Sequence, residues 1–167
     1  MARELEIVQR YMGQPPVNVA QIIRDLGIRF QNRPMEHGKS GYIEHEDGQF
    51  TITVNSSEGA QRQRFTAAHE LAYYLLHREM LIQCRGLARH DDSLFDGFAP
   101  DNPAQPFRPT HEVQANKLAA QIIMPKQTVA EKYIPESDNL EHVSELFGVS
   151  QAAMAIRLKT LGLRPWR

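Results

Sequence analysis

Arg62 to His77, RQRFTAAHELAYYLLH, constrains this chain more than any other stretch. At about 100° per residue it reads as one helix with two unlike faces. Measured from His69, the residues Thr66, Glu70, Tyr73 and His77 fall within about a third of a turn. Phe65, Ala68, Leu71, Ala72, Leu75 and Leu76 cover most of the remaining girth. A helix that is apolar over most of its circumference belongs in an interior. A polar strip carrying histidine and glutamate on such a helix needs compensation. Each of those groups costs free energy unless it is hydrogen-bonded, paired or metal-bound. The fold must therefore enclose this helix and supply its polar strip with partners.

The flanking segments supply the enclosure. Leu5, Val8, Tyr11 and Met12 recur at helical spacing over Ala2 to Met12, and Gly13 stops that helix. Asn18 caps a short helix through VAQIIRDL, which Gly27 closes. Ile28 to Phe30 reads as a strand and Arg33 to Lys39 as a loop. Gly41 to His45 and Gln49 to Asn55 flank Asp47-Gly48, the strongest short hairpin signal. Phe50, Ile52 and Val54 share one face of the second hairpin strand, and Thr51 and Thr53 the other. A small antiparallel three-stranded sheet is expected ahead of the central helix, with Ser57 capping the lead-in. Arg85 to Thr110 is irregular, with four prolines and two glycines. Lying between two candidate site helices, such a loop is expected to cover the cleft. His111 to Met124 is helical again, and Pro125 suits the first position of a short helix to about Tyr133. Leu140 to Phe147, then Gly148, then Gln151 to Leu161 form a helix–turn–helix pattern with glycine in the turn.

A length of 167 residues suits one domain with a small appended lobe. The net charge of −1 provides no general attraction to nucleic acid or an anionic membrane. The single cysteine, Cys84, has no internal disulfide partner, and MARELEIVQR lacks the apolar core of a signal peptide. Both point to a reducing cytoplasm. No apolar run approaches the roughly 18 residues that span a bilayer.

His69-Glu70 opens the pattern HExxH. In that pattern two histidines one turn apart hold zinc, and the glutamate activates a bound water. Here the fifth position is Tyr73. A third ligand on a following helix gives the pattern weight, and the candidate is Glu112 in EVQAN. Its helix face carries Ala115, Asn116 and Ala119, and the two alanines let two helices approach closely. The competing reading is a carboxylate placed at a helix N-terminus by the helix dipole.

On these residues the chain resembles the ImmA/IrrE family of bacterial metallopeptidase-like proteins. Four blocks carry the match in order: the SGYI…ITVN hairpin, RQRFTAAHELAYYLLH, EVQANKLAAQIIMP and HVSELFGVSQAAMAIRLKTLGL. They run from about Ser40 to Leu163, and VNVAQIIRDLGI fits the usual lead-in. The resemblance implies an α+β fold in two parts. Residues 1–133 would form a minimal zincin-like domain, and residues 134–167 a helix–turn–helix-like segment packed on it. It also implies a zinc cofactor, with His69 as first ligand, Glu70 as general base and Glu112 as third ligand. The second ligand falls on Tyr73, where the family has histidine. Ala72 replaces a frequent glycine, and His77 matches a common family histidine after the motif. Peptidase members of the family cut helix–turn–helix (Xre-type) repressors encoded beside them. Others resemble the toxin half of a toxin–antitoxin pair whose antitoxin is a similar repressor. Zinc, a repressor or antitoxin partner and a role in transcription regulation are the expectations that follow.

Tyr73 changes the expected chemistry. A phenol has a pKa near 10 and must ionise to ligate well. A second anionic ligand makes the metal a weaker Lewis acid, and the longer side chain crowds it. Weaker metal binding with slower chemistry, or neither function, is expected. Two arrangements stay open: a metal held by His69, Tyr73 and Glu112, or a metal-free polar cluster hydrogen-bonded through the Tyr73 hydroxyl. On a straight helix His77 lies about 12 Å along the axis from His69, too far to share an ion without strain. His111 points about 100° away from Glu112, and His90, Asp91 or Asp92 could enter from the loop. Arg62 and Arg64 are candidates to pair with loop acids or peptide, or are solvated. Tyr42 and Tyr74 could offer a hydroxyl to an oxyanion, or pack in the core. Asn116 could orient Glu112 or cap a backbone group. The tail holds Arg157 and Lys159 but little other positive charge, so DNA binding is not expected. Its expected role is packing on the core, with repressor docking as a second. The functional expectation is a zinc-dependent endopeptidase acting on a repressor. Its alternative is a pseudo-peptidase serving as a repressor-binding module or toxin.

Overall fold

The computed structural model describes residues 2–83, the backbone of 89–90, and residues 109–165. Two helices, α1 (Ala2–Met12) and α2 (Val19–Asp25), precede three strands, β1 (Arg29–Arg33), β2 (Gly41–Glu46) and β3 (Gln49–Asn55). The long helix α3 (Ala60–Gln83) and the two-residue strand β4 (Arg89–His90) follow, then α4 (Pro109–Ile123), α5 (Lys126–Lys132), α6 (Leu140–Phe147) and α7 (Gln151–Thr160). The α+β class agrees with the sequence reading.

Local chemistry sets most of the boundaries. Asn18 Oδ1 accepts from the Gln21 amide at 3.1 Å, the expected cap of α2. Asp47 and Gly48 both adopt positive φ, 50° and 80°, the backbone that a tight hairpin between β2 and β3 requires. Ser150 Oγ caps α7 by accepting from the Ala153 amide at 3.1 Å. Two expected boundaries move. α3 begins at Ala60, with the Gly59 carbonyl accepting from the Gln63 amide, so Ser57 does not cap it. Pro125 stands at the cap of α5 and not inside it, its carbonyl accepting from the Val129 amide at 2.9 Å.

The sheet corrects the antiparallel expectation. Its order is β1-β3-β2-β4, and β1 runs parallel to β3, with Phe30 opposite Ile52. β2 pairs antiparallel with both β3 and β4, so the sheet is mixed. The reason lies in β3, where every residue from Phe50 to Asn55 is buried. A strand covered on both faces belongs in the middle of a sheet. Once the hairpin sets β2 on one side of it, β1 takes the other and runs with it.

α3 lies across this sheet. Ten successive residues, Thr66 to Leu75, are buried. Leu76 escapes the enclosure at 41% exposure. The close approach depends on Gly41, where a Cβ would stand 2.7 Å from Thr66 Cγ2 and 2.5 Å from the Thr53 carbonyl oxygen. The helix breaks at His77 (φ −132°, ψ 34°). Beyond the break Arg78 pairs with Glu4 of α1 and lies 4.1 Å over the Tyr74 ring.

The tail joins the same core through Val143, Phe147, Met154 and Leu158. Two guanidinium groups, that of Arg157 buried and that of Arg64 half-buried, tie it down. Arg157 Nε donates to the Met124 carbonyl at 2.9 Å, and Arg64 Nη1 donates to the Gly148 carbonyl at 2.7 Å. Burial holds the pKa of both below the usual arginine value. Gly148 ends α6 in the left-handed region at φ 65°, and a Cβ there would stand 2.0 Å from Arg64 Nη1. Gly148→Ala is therefore expected to cost ~1–2 kcal/mol for the left-handed backbone. Displacing the arginine hydrogen bond costs about 1 kcal/mol more. Urea unfolding checks it: the midpoint should fall with the slope unchanged.

Candidate active site

α3 and α4 meet along a seam kept narrow by Ala115 and Ala119, both 0% exposed. His69, Glu70 and Tyr73 of α3 are all fully buried, and His69 enters this seam. From α4 it receives Glu112 and Asn116, which are one turn apart and so share a face. His69 Nε2 lies 3.2 Å from Glu112 Oε2, and its Nδ1 lies 2.7 Å from Asn116 Oδ1. The Glu112 side chain keeps 26% of its surface exposed, so the cluster reaches solvent on that side.

The hydrogen bonding determines what the cluster can hold. With a carbonyl oxygen opposite it, Nδ1 carries the proton and donates. A neutral ring with its proton on Nδ1 has its lone pair at Nε2, 3.2 Å from a carboxylate oxygen. That contact is attractive only with a proton or a metal cation between the two atoms. A tetrahedral zinc with bonds near 2.0–2.1 Å spaces its donors about 3.3–3.4 Å apart, so a separation of 3.2 Å suits two of its ligands. Among the described residues no group of three His, Cys, Asp or Glu side chains forms a metal site. The next group along α3 is Tyr73, whose ring centroid lies 5.1 Å from that of His69. The donors on offer are one imidazole, one carboxylate and one phenol.

The row of rings continues away from Glu112. Tyr73 and His77 have centroids 5.6 Å apart, and His77 and His111 4.5 Å apart. His111 thus packs on His77. Burial, with help from the neighbouring His111, holds the His77 pKa below the usual imidazole value, against the opposing effect of its hydrogen bond with Gln114. The break in α3 falls at His77 itself, so residues 69 to 76 keep the helical rise between the two histidines. Tyr73 still stands between their rings.

The other candidates lie elsewhere. Arg64 is committed to Gly148 in the tail. Arg62 pairs with Glu58 at 3.2 Å, near the start of α3. Tyr42 alternates with Gly41 and Ile43, which face α3, so it projects from the opposite face of the sheet, next to His90 of β4. Tyr74 packs in the core, edge-on to Phe50 at 5.0 Å. Asn116 places its Oδ1 2.7 Å from His69 Nδ1. The i, i+4 spacing of Glu112 and Asn116 was the available signal that both address one partner. The side chains of His90, Asp91 and Asp92, and the loop expected to cover the cleft, lie outside the described residues.

The model of a peptidase family, the IrrE N-terminal-like domain, matches residues 23–159. The chain belongs to this family. Comparison with curated proteins gives no match. Among solved structures, a Mycobacterium tuberculosis transcriptional regulator is similar, with a TM-score of 0.56 at 18% identity. The match covers 97% of this chain and 47% of that one, so the chain spans about half the regulator's length. At that identity the likeness is one of fold. The IrrE-like chain therefore carries a metallopeptidase-like α+β domain. None of its described helices is long and apolar enough to cross a membrane.

Proposed function

We propose that this chain is a cytoplasmic metallopeptidase-like protein that acts on a helix–turn–helix repressor, with zinc held between α3 and α4 by His69 and Glu112. Tyr73 is the third protein donor. The observation that carries the reading is the 3.2 Å approach of His69 Nε2 to Glu112 Oε2, with the opposite ring nitrogen already donating to Asn116. Zinc bound there would polarise a scissile carbonyl and supply a nucleophilic water near neutral pH. Glu70 would serve as the general base that takes a proton from the attacking water and returns it to the leaving amine. Full burial of Glu70 keeps this transfer out of bulk solvent. The partner follows from the family resemblance. It accords with a tail whose Arg157 is buried against the Met124 carbonyl and is unavailable to phosphates.

A second reading is favoured by one feature, the fully buried tyrosine in the place of the second histidine. It makes the chain a pseudo-peptidase that binds the repressor, as a module or as a toxin neutralised by it. Metal content by mass spectrometry, on protein purified without chelator, separates the two when paired with a cleavage assay on the co-encoded repressor. About one zinc per chain together with cleavage supports the peptidase. Binding of the repressor without zinc or cleavage supports the module.

A further inference from the structure

We infer that Asn116 is a positioning residue for His69: its side-chain carbonyl keeps the proton on Nδ1 and so holds Nε2 toward Glu112. The inference deepens the proposed metal reading and takes its functional meaning from it. The hydrogen bond stands independently. One turn of α4 grips both edges of a single imidazole, with Asn116 Oδ1 at 2.7 Å from Nδ1 and Glu112 Oε2 at 3.2 Å from Nε2. His69 is 0% exposed, so bulk water does not compete for the Nδ1 proton. Ala115 and Ala119, also 0% exposed, let α4 come close enough for a side chain as short as asparagine to reach the ring. An amide suits this place because it accepts a hydrogen bond without charge. The seam already holds the carboxyl group of Glu112, and another beside it would add like-charge repulsion. The proton on Nδ1 also determines which nitrogen is left to bind a cation. A ligating histidine generally donates its other N–H to such a partner, and losing that partner weakens metal affinity about 10–100-fold.

The test uses the full chain, metal-free, with 15N-labelled histidine. The unaltered protein should show a protected proton on His69 Nδ1. Asn116→Leu, close to asparagine in shape but without an acceptor, should lose it, and Asn116→Asp should retain it. Asn116→Ser, whose hydroxyl is too short to reach, should repeat the loss if the leucine variant folds poorly. Zinc titration should then show affinity about 10–100-fold weaker in the leucine or serine variant, with an unfolding midpoint lowered because the buried Nδ1–H has lost its acceptor. Persistence of the Nδ1 proton in both variants, or its absence from the unaltered protein, overturns the inference. So does unchanged zinc affinity in those variants. If the unaltered protein takes up no zinc, the metal reading fails. The Nδ1 signal alone then decides whether Asn116 holds the ring.

Discussion

Glu70→Gln is expected to lower cleavage of the partner repressor by about 10²–10⁴-fold, with zinc uptake retained. Glutamine matches glutamate in shape but does not accept a proton from water at neutral pH. Its amide takes the place of a carboxyl group that is 0% exposed on α3. Glutamine keeps the shape and the hydrogen-bonding oxygen of the buried side chain, so the variant is expected to fold. Glu70 is next to His69 in sequence, but the ring's two nitrogens are engaged by Glu112 and Asn116. The donor pair is thus left intact. Cleavage is followed by intact-mass analysis of the repressor under single-turnover conditions. A loss smaller than about tenfold would remove Glu70 from the role of base.

Tyr73→His is expected to tighten zinc binding by roughly 100-fold or more, since it exchanges a phenol of pKa near 10, largely un-ionised at pH 7, for a neutral imidazole. Residue 73 stands one turn beyond His69 on the same face of α3, and its ring already lies beside the His69 ring at 5.1 Å. An imidazole there binds as a neutral ligand at pH 7, whereas a phenol must first give up a proton of pKa near 10. The substitution has a cost in the metal-free protein. Tyr73 is among the largest fully buried side chains, and a smaller ring leaves a void worth about 1–3 kcal/mol. The variant should therefore melt lower than its parent without metal and recover on adding zinc, because only the folded state presents the assembled site. Competition against a chromophoric chelator measures the affinity. Equal affinity in parent and variant would mean that the metal does not sit among residues 69, 73 and 112.

The elements themselves were legible in the chain. The cap at Asn18, the turn at Asp47-Gly48 and the left-handed stop at Gly148 each act over a few residues. So does the run from Thr66 to Leu75, whose apolar girth required burial. Glu70 next to His69, with Glu112 on a later helix faced by alanines, was readable for the same reason. Helical spacing determines which side chains share a face before any partner is known.

Other features depended on residues distant in sequence. β1 runs parallel to β3 because β3 is covered on both faces, a property of the packed sheet that no strand signal carries alone. Arg64 looked like a site candidate on its own helix and is bound to a carbonyl of the tail 84 positions away. The break at His77 arises where α1, through Glu4 and Arg78, and α4, through His111, both meet α3. Asn116 is the clearest case. Sequence placed it on the Glu112 face, and only the packing of α4 on α3 decided that it takes the other nitrogen of His69. Local hydrogen bonding and side-chain period determined the helices, the turns and the candidate donors. The tertiary structure decided which donors meet, because a 3 Å contact between two helices depends on how the whole core packs.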